Sequence, residues 1–264
     1  MGFLDEVVSA VRRDVADGRY TVQSVTRRSS TAPGLAAAIL RGRRRGALLV
    51  EFKRVSPGSA TPRLPARSVS EFLASTRGEA VVGYSCLATR HRFEGSLEDV
   101  RALTQGTDRP VLFKDFVVDP VQIDAACDAG AAAVLLIARL EDAGLLEVPL
   151  AELARHARLR GLEVLLELHA KAELRHVQGV LPEMTGVNVR DLDTLQMEPA
   201  TADETIRAAA DIHPLLGLSG VGSAEDARRF WSLGVDGILV GSAVARAGDP
   251  AAFLRSLARP SEGT

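Results

Sequence analysis

Short runs of apolar residues recur along this chain, and stretches with helical periodicity separate them. Eight such runs, each four to six residues long, occupy positions 47–52, 81–86, 110–113, 132–137, 163–168, 184–188, 214–218 and 237–240. Because their apolar residues stand at consecutive rather than alternate positions, the runs are typical of parallel strands buried on both faces. Amphipathic segments at 120–129, 150–160 and 224–233 predict helices, and Ser223 is the expected N-cap of the last one.

The regular alternation predicts the fold class. One strand with its following helix takes about 22 to 34 residues, which suits βαβ units with right-handed crossovers. Eight such units favour an α/β protein, built as a single (β/α)8 TIM barrel domain over residues 1–264. The alternative, an open doubly wound sheet, more often carries a glycine fingerprint after its first strand, and this chain has none there. Helical patterns at 3–16 and 34–43 precede the first strand, so residues 1–45 are expected to form an N-terminal helical cap.

Composition and charge exclude several classes of protein. The chain is 46% hydrophobic and 25% charged, which is typical of a folded globular protein. With 32 basic and 34 acidic residues, its net charge of −2 gives no overall attraction for nucleic acid. Neither a membrane span nor a signal peptide is visible, so we expect a cytoplasmic protein without a membrane partner. Cys86 and Cys127 lie in apolar stretches, which predicts neither a disulfide framework nor a zinc site.

Lysine is rare in this chain. Of the 32 basic residues only Lys53, Lys114 and Lys171 are lysines, and arginine fills the ordinary surface positions. The arginine-rich run 41–45 is accordingly expected to be the solvated end of a helix rather than a phosphate-binding patch. Lys53 and Lys114 close apolar runs, where an amine whose pKa can be tuned suggests proton transfer. Lys171 lies at a helix start and is expected to have no special role.

Polar residues close several of the predicted strands. In a TIM barrel the C-terminal strand ends meet at one mouth, where the chemistry takes place. Glu51 and Lys53 are two residues apart and therefore share one face of the first strand. The later strand ends carry Lys114, Glu167, Asn188 and Ser219. Two carboxylates, two amines and an amide at one mouth predict an enzyme pocket in which paired charges tune each other's pKa.

Glycine-containing turns follow the last two strands. The segments LSGVG at 218–222 and LVGSAVARAG at 239–248 each open a helix. Backbone N–H groups at such helix starts form the usual phosphate site of barrels. The turns therefore predict a small phosphorylated substrate, although barrels of unrelated chemistry share this motif.

Seven segments resemble, in the same order, those of the indole-3-glycerol phosphate synthase family. The most specific are the K-D-F block, which begins VLFKDF at position 111, and NVRDL at 188–192. The others are LDEVVSAVRRDV, VEFKRVSP, FEGSLEDV, LEVLLELHAKAEL and VDGILVGSAVARAGDP. The resemblance covers about nine-tenths of the chain. It implies conversion of 1-(2-carboxyphenylamino)-1-deoxyribulose 5-phosphate to indole-3-glycerol phosphate, carbon dioxide and water, with no cofactor and no metal. A monomer or weak homo-oligomer is expected.

The resemblance also implies roles for the strand-end residues. Lys114 would be the general acid that protonates the ribulose carbonyl oxygen. Lys53, paired with Glu51, would hold the anthranilate carboxylate, although the division of proton transfers between the two lysines stays open. Glu167 would transfer protons in the later steps, and Asn188 would orient a substrate hydroxyl.

Two further groups of residues follow from the same resemblance. The expected phosphate ligands are Ser56, Arg190, Gly220, Gly241 and Ser242. The expected walls of the aromatic pocket are Phe93, Phe116, Leu135 and Leu192. For these four apolar residues, plain core packing is an equally good interpretation of the sequence.

Two departures from the family pattern keep other hypotheses open. Leu218 stands where the family usually has a glutamate, and the loop at 56–66 lacks a lysine that is common there. The leading hypothesis is the synthase itself. The alternatives are a divergent paralogue that acts on a modified anthranilate-derived substrate in specialised metabolism, another phosphate-binding barrel enzyme such as a sugar-phosphate isomerase, and a non-catalytic phosphate-binding barrel.

The divergent-paralogue hypothesis makes a direct prediction. If Leu218 has lowered turnover of the ordinary substrate, Leu218→Glu should raise kcat several-fold, because it restores the carboxylate that the family usually has at this position. Steady-state kinetics of the two proteins would measure this. An unchanged kcat would count against that hypothesis.

Overall fold

A computed structural model describes residues 2–22, 34–65 and 67–259, and within these ranges eight parallel strands form a closed barrel. The strands are β1 Ala47–Phe52, β2 Val81–Leu87, β3 Val111–Lys114, β4 Ala133–Ile137, β5 Glu163–Leu168, β6 Met184–Asn188, β7 Leu215–Leu218 and β8 Gly237–Val240. This confirms the predicted TIM barrel, and every strand begins and ends within one residue of its predicted position. Of the predicted cap, residues 1 and 23–33 lie outside the described residues.

Helices precede the barrel and surround it. The first two are α1 Phe3–Ala16 and α2 Leu35–Gly42, and a short 3-10 helix at Arg43–Arg45 leads into β1. The outer helices are α3 Val69–Ser75, α4 Leu97–Gly106, α5 Pro120–Asp128, α6 Ala138–Asp142, α7 Leu150–Leu159, α8 Arg175–Val180, α9 Pro199–Ala208, α10 Ala224–Ser232, α11 Ser242–Arg246 and α12 Pro250–Ser256. Another 3-10 helix, Lys171–Leu174, precedes α8. Ser223 caps α10 as predicted, since its hydroxyl accepts a hydrogen bond from the Asp226 N–H.

Each strand packs on two apolar layers, which explains the unbroken apolar runs of the sequence. In β7, Leu216 and Leu218 join the cluster inside the barrel, whereas Leu215 belongs to the layer between the strands and the outer helices. All three side chains are at most 1% exposed. A strand covered on both sides has no position that favours a polar residue until it reaches the barrel mouth.

The N-terminal helices lie at opposite ends of the barrel. At the N-terminal end, Leu35 and Ile39 of α2 join the inner cluster, and the Ala36 N–H donates to the carboxylate of Glu163 at the start of β5 (3.0 Å). At the other end, the ring of Phe3 in α1 packs edge-on against Phe93, with centroids 6.2 Å apart. The mouth of the barrel is therefore partly roofed by α1.

Several smaller predictions concern residues away from the mouth. Arg43, Arg44 and Arg45 are exposed, in agreement with a solvated helix end, and Cys86 and Cys127 are buried. Lys171 is an exposed side chain. Among the described residues, no helix is both long and apolar enough to cross a bilayer.

The close approach of α10 to β7 predicts a strong effect of a small substitution. A Cβ atom at Gly217 would lie 2.4 Å from ring carbons of the buried Phe230. Gly217→Ala should therefore lower the free energy of unfolding by about 1–3 kcal/mol through overpacking. The matched control is Gly179→Ala in α8, where no atom lies within 4 Å and alanine favours the helix. Denaturant unfolding of both variants measures the difference, and equal stabilities would contradict the packing described here.

Candidate active site

The C-terminal ends of the strands surround a cavity that is open to solvent on one side. Six residues predicted from the strand ends line it: Glu51, Lys53, Lys114, Glu167, Asn188 and Ser219. Four of them lie in strands, and Lys53 and Ser219 directly follow β1 and β7. Because five different strands are involved, the relative positions of the six residues depend on closure of the barrel. The cavity therefore has one polar wall built by secondary structure rather than by loops.

Glu51 lies between two lysine amines. Its Oε2 is 2.5 Å from Nζ of Lys53, and its Oε1 is 3.5 Å from Nζ of Lys114. The Lys114 amine also lies 4.0 Å from Oε2 of Glu167. The glutamate side chains are each 3% exposed and the lysine side chains each 17% exposed. The two positive and two negative charges cancel, as groups buried this deeply require.

These contacts shift the pKa of two groups in opposite directions. Burial tends to raise the pKa of Glu51, but the charges of Lys53 and Lys114 outweigh burial and the pKa is lowered. Burial tends to lower the pKa of Lys114, but the charges of Glu51 and Glu167 outweigh it and the pKa is raised. Lys114 therefore carries its proton at neutral pH, as a proton donor must.

Asn188 and Glu167 form a pair beside this charged cluster. The Asn188 side-chain amide donates to Oε1 of Glu167 (2.8 Å), and its Oδ1 accepts from the Arg190 N–H (3.0 Å). The second carboxylate oxygen of Glu167, Oε2, is buried and has no hydrogen-bond partner among the described residues. A carboxylate held by one oxygen leaves the other available to accept a proton from a bound molecule.

Of the five expected phosphate ligands, two line the cavity, and three, Gly220, Gly241 and Ser242, do not. Ser56 and Arg190 line the cavity, and the Ser242 hydroxyl donates to Oγ of Ser56 (2.9 Å). At Gly241 a Cβ atom would lie 2.7 Å from Oε2 of Glu51, so any larger residue there would displace the Glu51 carboxylate. Gly220 does not line the cavity; it adopts a left-handed φ of 74° and packs near Met197.

Part of the cavity lining is apolar. The four expected wall residues, Phe93, Phe116, Leu135 and Leu192, all line it. The Phe93 and Phe116 rings lie 6.0 Å apart, and Phe3 extends the wall from α1. Rings and aliphatic side chains at this spacing can enclose a flat aromatic group.

Sequence analysis missed several further lining residues. They are Phe3, Pro57, Leu87, Asp115, Ile137 and Leu195. Strand alternation could have found Ile137, which follows Leu135 by two positions in β4. Phe3 and Leu195 could not have been found that way, because a helix before the barrel and a loop after β6 bring them to the cavity.

Asp115, beside Lys114, is also buried in a hydrogen-bond network. Its carboxylate accepts from the hydroxyls of Tyr20 (2.7 Å) and Thr89 (2.6 Å). Burial raises the pKa of Asp115 in spite of these hydrogen bonds. Because Tyr20 follows α1, this bond connects the N-terminal extension directly to the end of β3.

Leu218, which stands where the family usually has a glutamate, does not line the cavity. Its side chain is 1% exposed and packs on Gly186, where an added Cβ would lie 2.7 Å from Leu218 Cδ1.

Within the described part of the chain, one cluster has the composition of a metal site: His169, Asp191 and Glu198, with ligand atoms within 4.8 Å of one another. None of its three residues lines the cavity.

The chain is similar to proteins of one enzyme family over nearly its whole length. A sequence model of the indole-3-glycerol phosphate synthase family matches residues 4–257. A relative from Exiguobacterium sibiricum with that name is 31% identical over 261 residues, which are 97% of each chain. Another from Staphylococcus aureus is 35% identical over 214 residues, covering 81% of this chain and 80% of the relative.

Solved structures with much lower sequence identity share the fold. A 3-hexulose-6-phosphate synthase from Salmonella typhimurium superposes with a TM-score of 0.60 at 16% identity, over 80% of this chain and 96% of that one. A thiamine phosphate pyrophosphorylase from Pyrococcus furiosus gives a TM-score of 0.56 at 18% identity, over 82% of this chain and 95% of that one. At this identity the likeness shows a common barrel and nothing about the reaction.

The charge pairing at the mouth can be tested without any substrate. Because the chain contains only three lysines, NMR of isotope-labelled lysine can follow each amine during a pH titration. We expect Lys114 to titrate above the ordinary lysine range, and Glu51→Gln to lower its pKa, since the variant removes the nearest negative charge. The exposed Lys171 serves as the internal reference. A Lys114 pKa that does not change in Glu51→Gln would contradict the pairing.

Proposed function

The chain belongs to the indole-3-glycerol phosphate synthase family, and we propose that the cavity at its barrel mouth performs that family's reaction with the residues described above. The reaction is a decarboxylating ring closure, so the activity is that of a carboxy-lyase. The family match and the named relatives favour this activity over the divergent and non-catalytic alternatives. The observation that carries the assignment of roles is the position of the Lys114 amine between the carboxylates of Glu51 and Glu167.

Lys114 is the proposed general acid of ring closure. The ring carbon that bears the carboxylate attacks the ribulose carbonyl carbon, and the carbonyl oxygen takes a proton as the carbon–carbon bond forms. A donor for this step must be charged and must reach the middle of the cavity. Lys114 meets the first requirement through its raised pKa and the second through its position at the end of β3.

Lys53 and Glu167 are the proposed groups for the later steps. When the carboxylate leaves as carbon dioxide, its bonding electrons return to the ring system. The new hydroxyl then leaves as water with a proton from a lysine, and the neighbouring carbon loses a proton to Glu167. Glu167 suits this role because Asn188 holds one of its oxygens and the other has no hydrogen-bond partner among the described residues.

The two ends of the cavity match the two ends of this substrate. Arg190 presents forked donors, and together with Ser56 and the N–H groups that begin α11 it would hold the phosphate. The walls at Phe93 and Phe116 would enclose the aromatic ring, with its carboxylate near Lys53. A cytoplasmic location and a monomeric or weakly oligomeric state stay predictions from the sequence.

The assignment predicts the effect of one substitution on turnover. Purified protein should convert the anthranilate-derived ribulose phosphate to a product with indole fluorescence. Lys114→Ala should lower kcat by about 10²- to 10⁴-fold, because the reaction loses its general acid. The matched control is Lys171→Ala, which removes an exposed lysine that does not line the cavity and should leave kcat unchanged.

Three outcomes would count against the proposal. Wild-type protein that binds the substrate without turnover would favour a non-catalytic barrel. Protein that neither binds nor reacts would leave only the fold. Full activity in a folded Lys114→Ala variant would mean that another group is the general acid.

A further inference from the structure

A second charged cluster lies behind the polar wall of the cavity. Its centre is His169, which directly follows β5 and has a side chain that is 7% exposed. Asp191 and Glu198, from the connection between β6 and α9, face the imidazole. Glu173 and Arg139 complete the cluster and form an ion pair at 3.1 Å. The mechanism proposed above uses none of these five residues.

The imidazole of His169 bridges the ends of two strands. Its Nδ1 lies 3.0 Å from the backbone carbonyl oxygen of Asn188, and its Nε2 lies 3.2 Å from Oε2 of Glu198. A backbone carbonyl only accepts hydrogen bonds, so Nδ1 is the donor in the contact with Asn188. The backbone of His169 is itself fixed, since its N–H donates to Glu173 at 2.6 Å.

We propose that His169 is a positioning residue that fixes Asn188 against Glu167. Asn188 makes two hydrogen bonds to the end of β5. Its side-chain amide donates to Glu167, and its backbone carbonyl accepts from the imidazole of His169, which follows Glu167 by two residues. The backbone and the side chain of Asn188 are therefore both bound to residues at the end of β5, which favours the rotamer that reaches Glu167. The same geometry keeps the second oxygen of Glu167 directed toward Lys114. This inference rests on the proposed function, because it assigns His169 a part in that reaction.

The surroundings of the cluster favour a hydrogen-bond network over a metal site. The Arg139 guanidinium lies 3.8 Å from Oδ2 of Asp191, and this carboxylate is one of the three candidate metal ligands. The other oxygen of Asp191 accepts two backbone N–H groups, from Asp193 and Thr194. The Arg139 guanidinium therefore already faces the carboxylates of Asp191 and Glu173, and a metal dication would have to displace it.

Two substitutions at His169 separate positioning from packing. In His169→Asn the side-chain amide lies close to the place of Nδ1 and can still donate to the Asn188 carbonyl. His169→Leu keeps an apolar body without a donor and leaves that buried carbonyl unpaired. The matched control is His156→Asn, which breaks a histidine–carboxylate contact of 2.7 Å on the outer helix α7.

The expected result is a split between kcat and KM. His169→Leu should lower kcat about 10- to 100-fold with a much smaller change in KM, because a misplaced Glu167 slows the chemical steps more than it weakens binding. His169→Asn should recover most of that loss. His156→Asn should keep the wild-type kcat even if its melting temperature falls. Addition of EDTA should leave all four proteins unchanged.

The outcomes that overturn this inference differ from those that overturn the proposed function. A wild-type protein without turnover would refute the function itself. If wild type is active, the inference fails when folded His169→Leu has the kcat of His156→Asn, or when His169→Asn is as slow as His169→Leu. It also fails if EDTA removes wild-type activity and added Zn2+ restores it, since the cluster would then be a metal site.

Discussion

Glu51 lies between two lysine amines, and the chemistry of the barrel mouth depends on that arrangement. Buried charges are costly unless they are paired, and here each lysine amine lies beside a carboxylate. The pairing raises the pKa of Lys114, so a proton donor can exist where burial alone would favour a neutral amine. The glycine at the end of β8 is part of the same constraint, because a side chain at Gly241 would displace the Glu51 carboxylate.

The barrel supplies what this pairing needs. Charges from β1, β3 and β5 meet only because the sheet closes and all its strands are parallel. Around them the cavity is lined by polar residues such as Ser56 and Arg190 and by apolar residues such as Phe93 and Phe116. Such a lining has groups suited to both ends of a substrate that carries a phosphate and an aromatic ring. The family to which the chain belongs uses a substrate of this form.

Much of this could be predicted from the sequence, and the limits have physical causes. The strands were predictable because burial on both faces produces unbroken apolar runs, and Glu51 and Lys53 could be placed on one face because strands alternate. The contributions of Phe3 and Tyr20 could not be predicted, since the path of α1 over the mouth is set by tertiary packing. The charged cluster around His169 could not be predicted for a similar reason, because its members come from separate loops and short helices after β4, β5 and β6. The sequence shows that Leu218 departs from the family pattern, but only the structure shows that its side chain packs on Gly186.

The central claim is that Lys114 faces the reacting carbonyl while the phosphate lies at Ser56 and Arg190. A crystal structure with a substrate analogue that cannot cyclise, in which the ribulose carbonyl is reduced to a hydroxyl, tests it most directly. The account predicts that this hydroxyl lies about 3 Å from the Lys114 amine, within hydrogen-bond distance, and that the phosphate contacts both Ser56 and Arg190. A phosphate bound against Phe93 and Phe116, or a hydroxyl out of reach of Lys114, would contradict it.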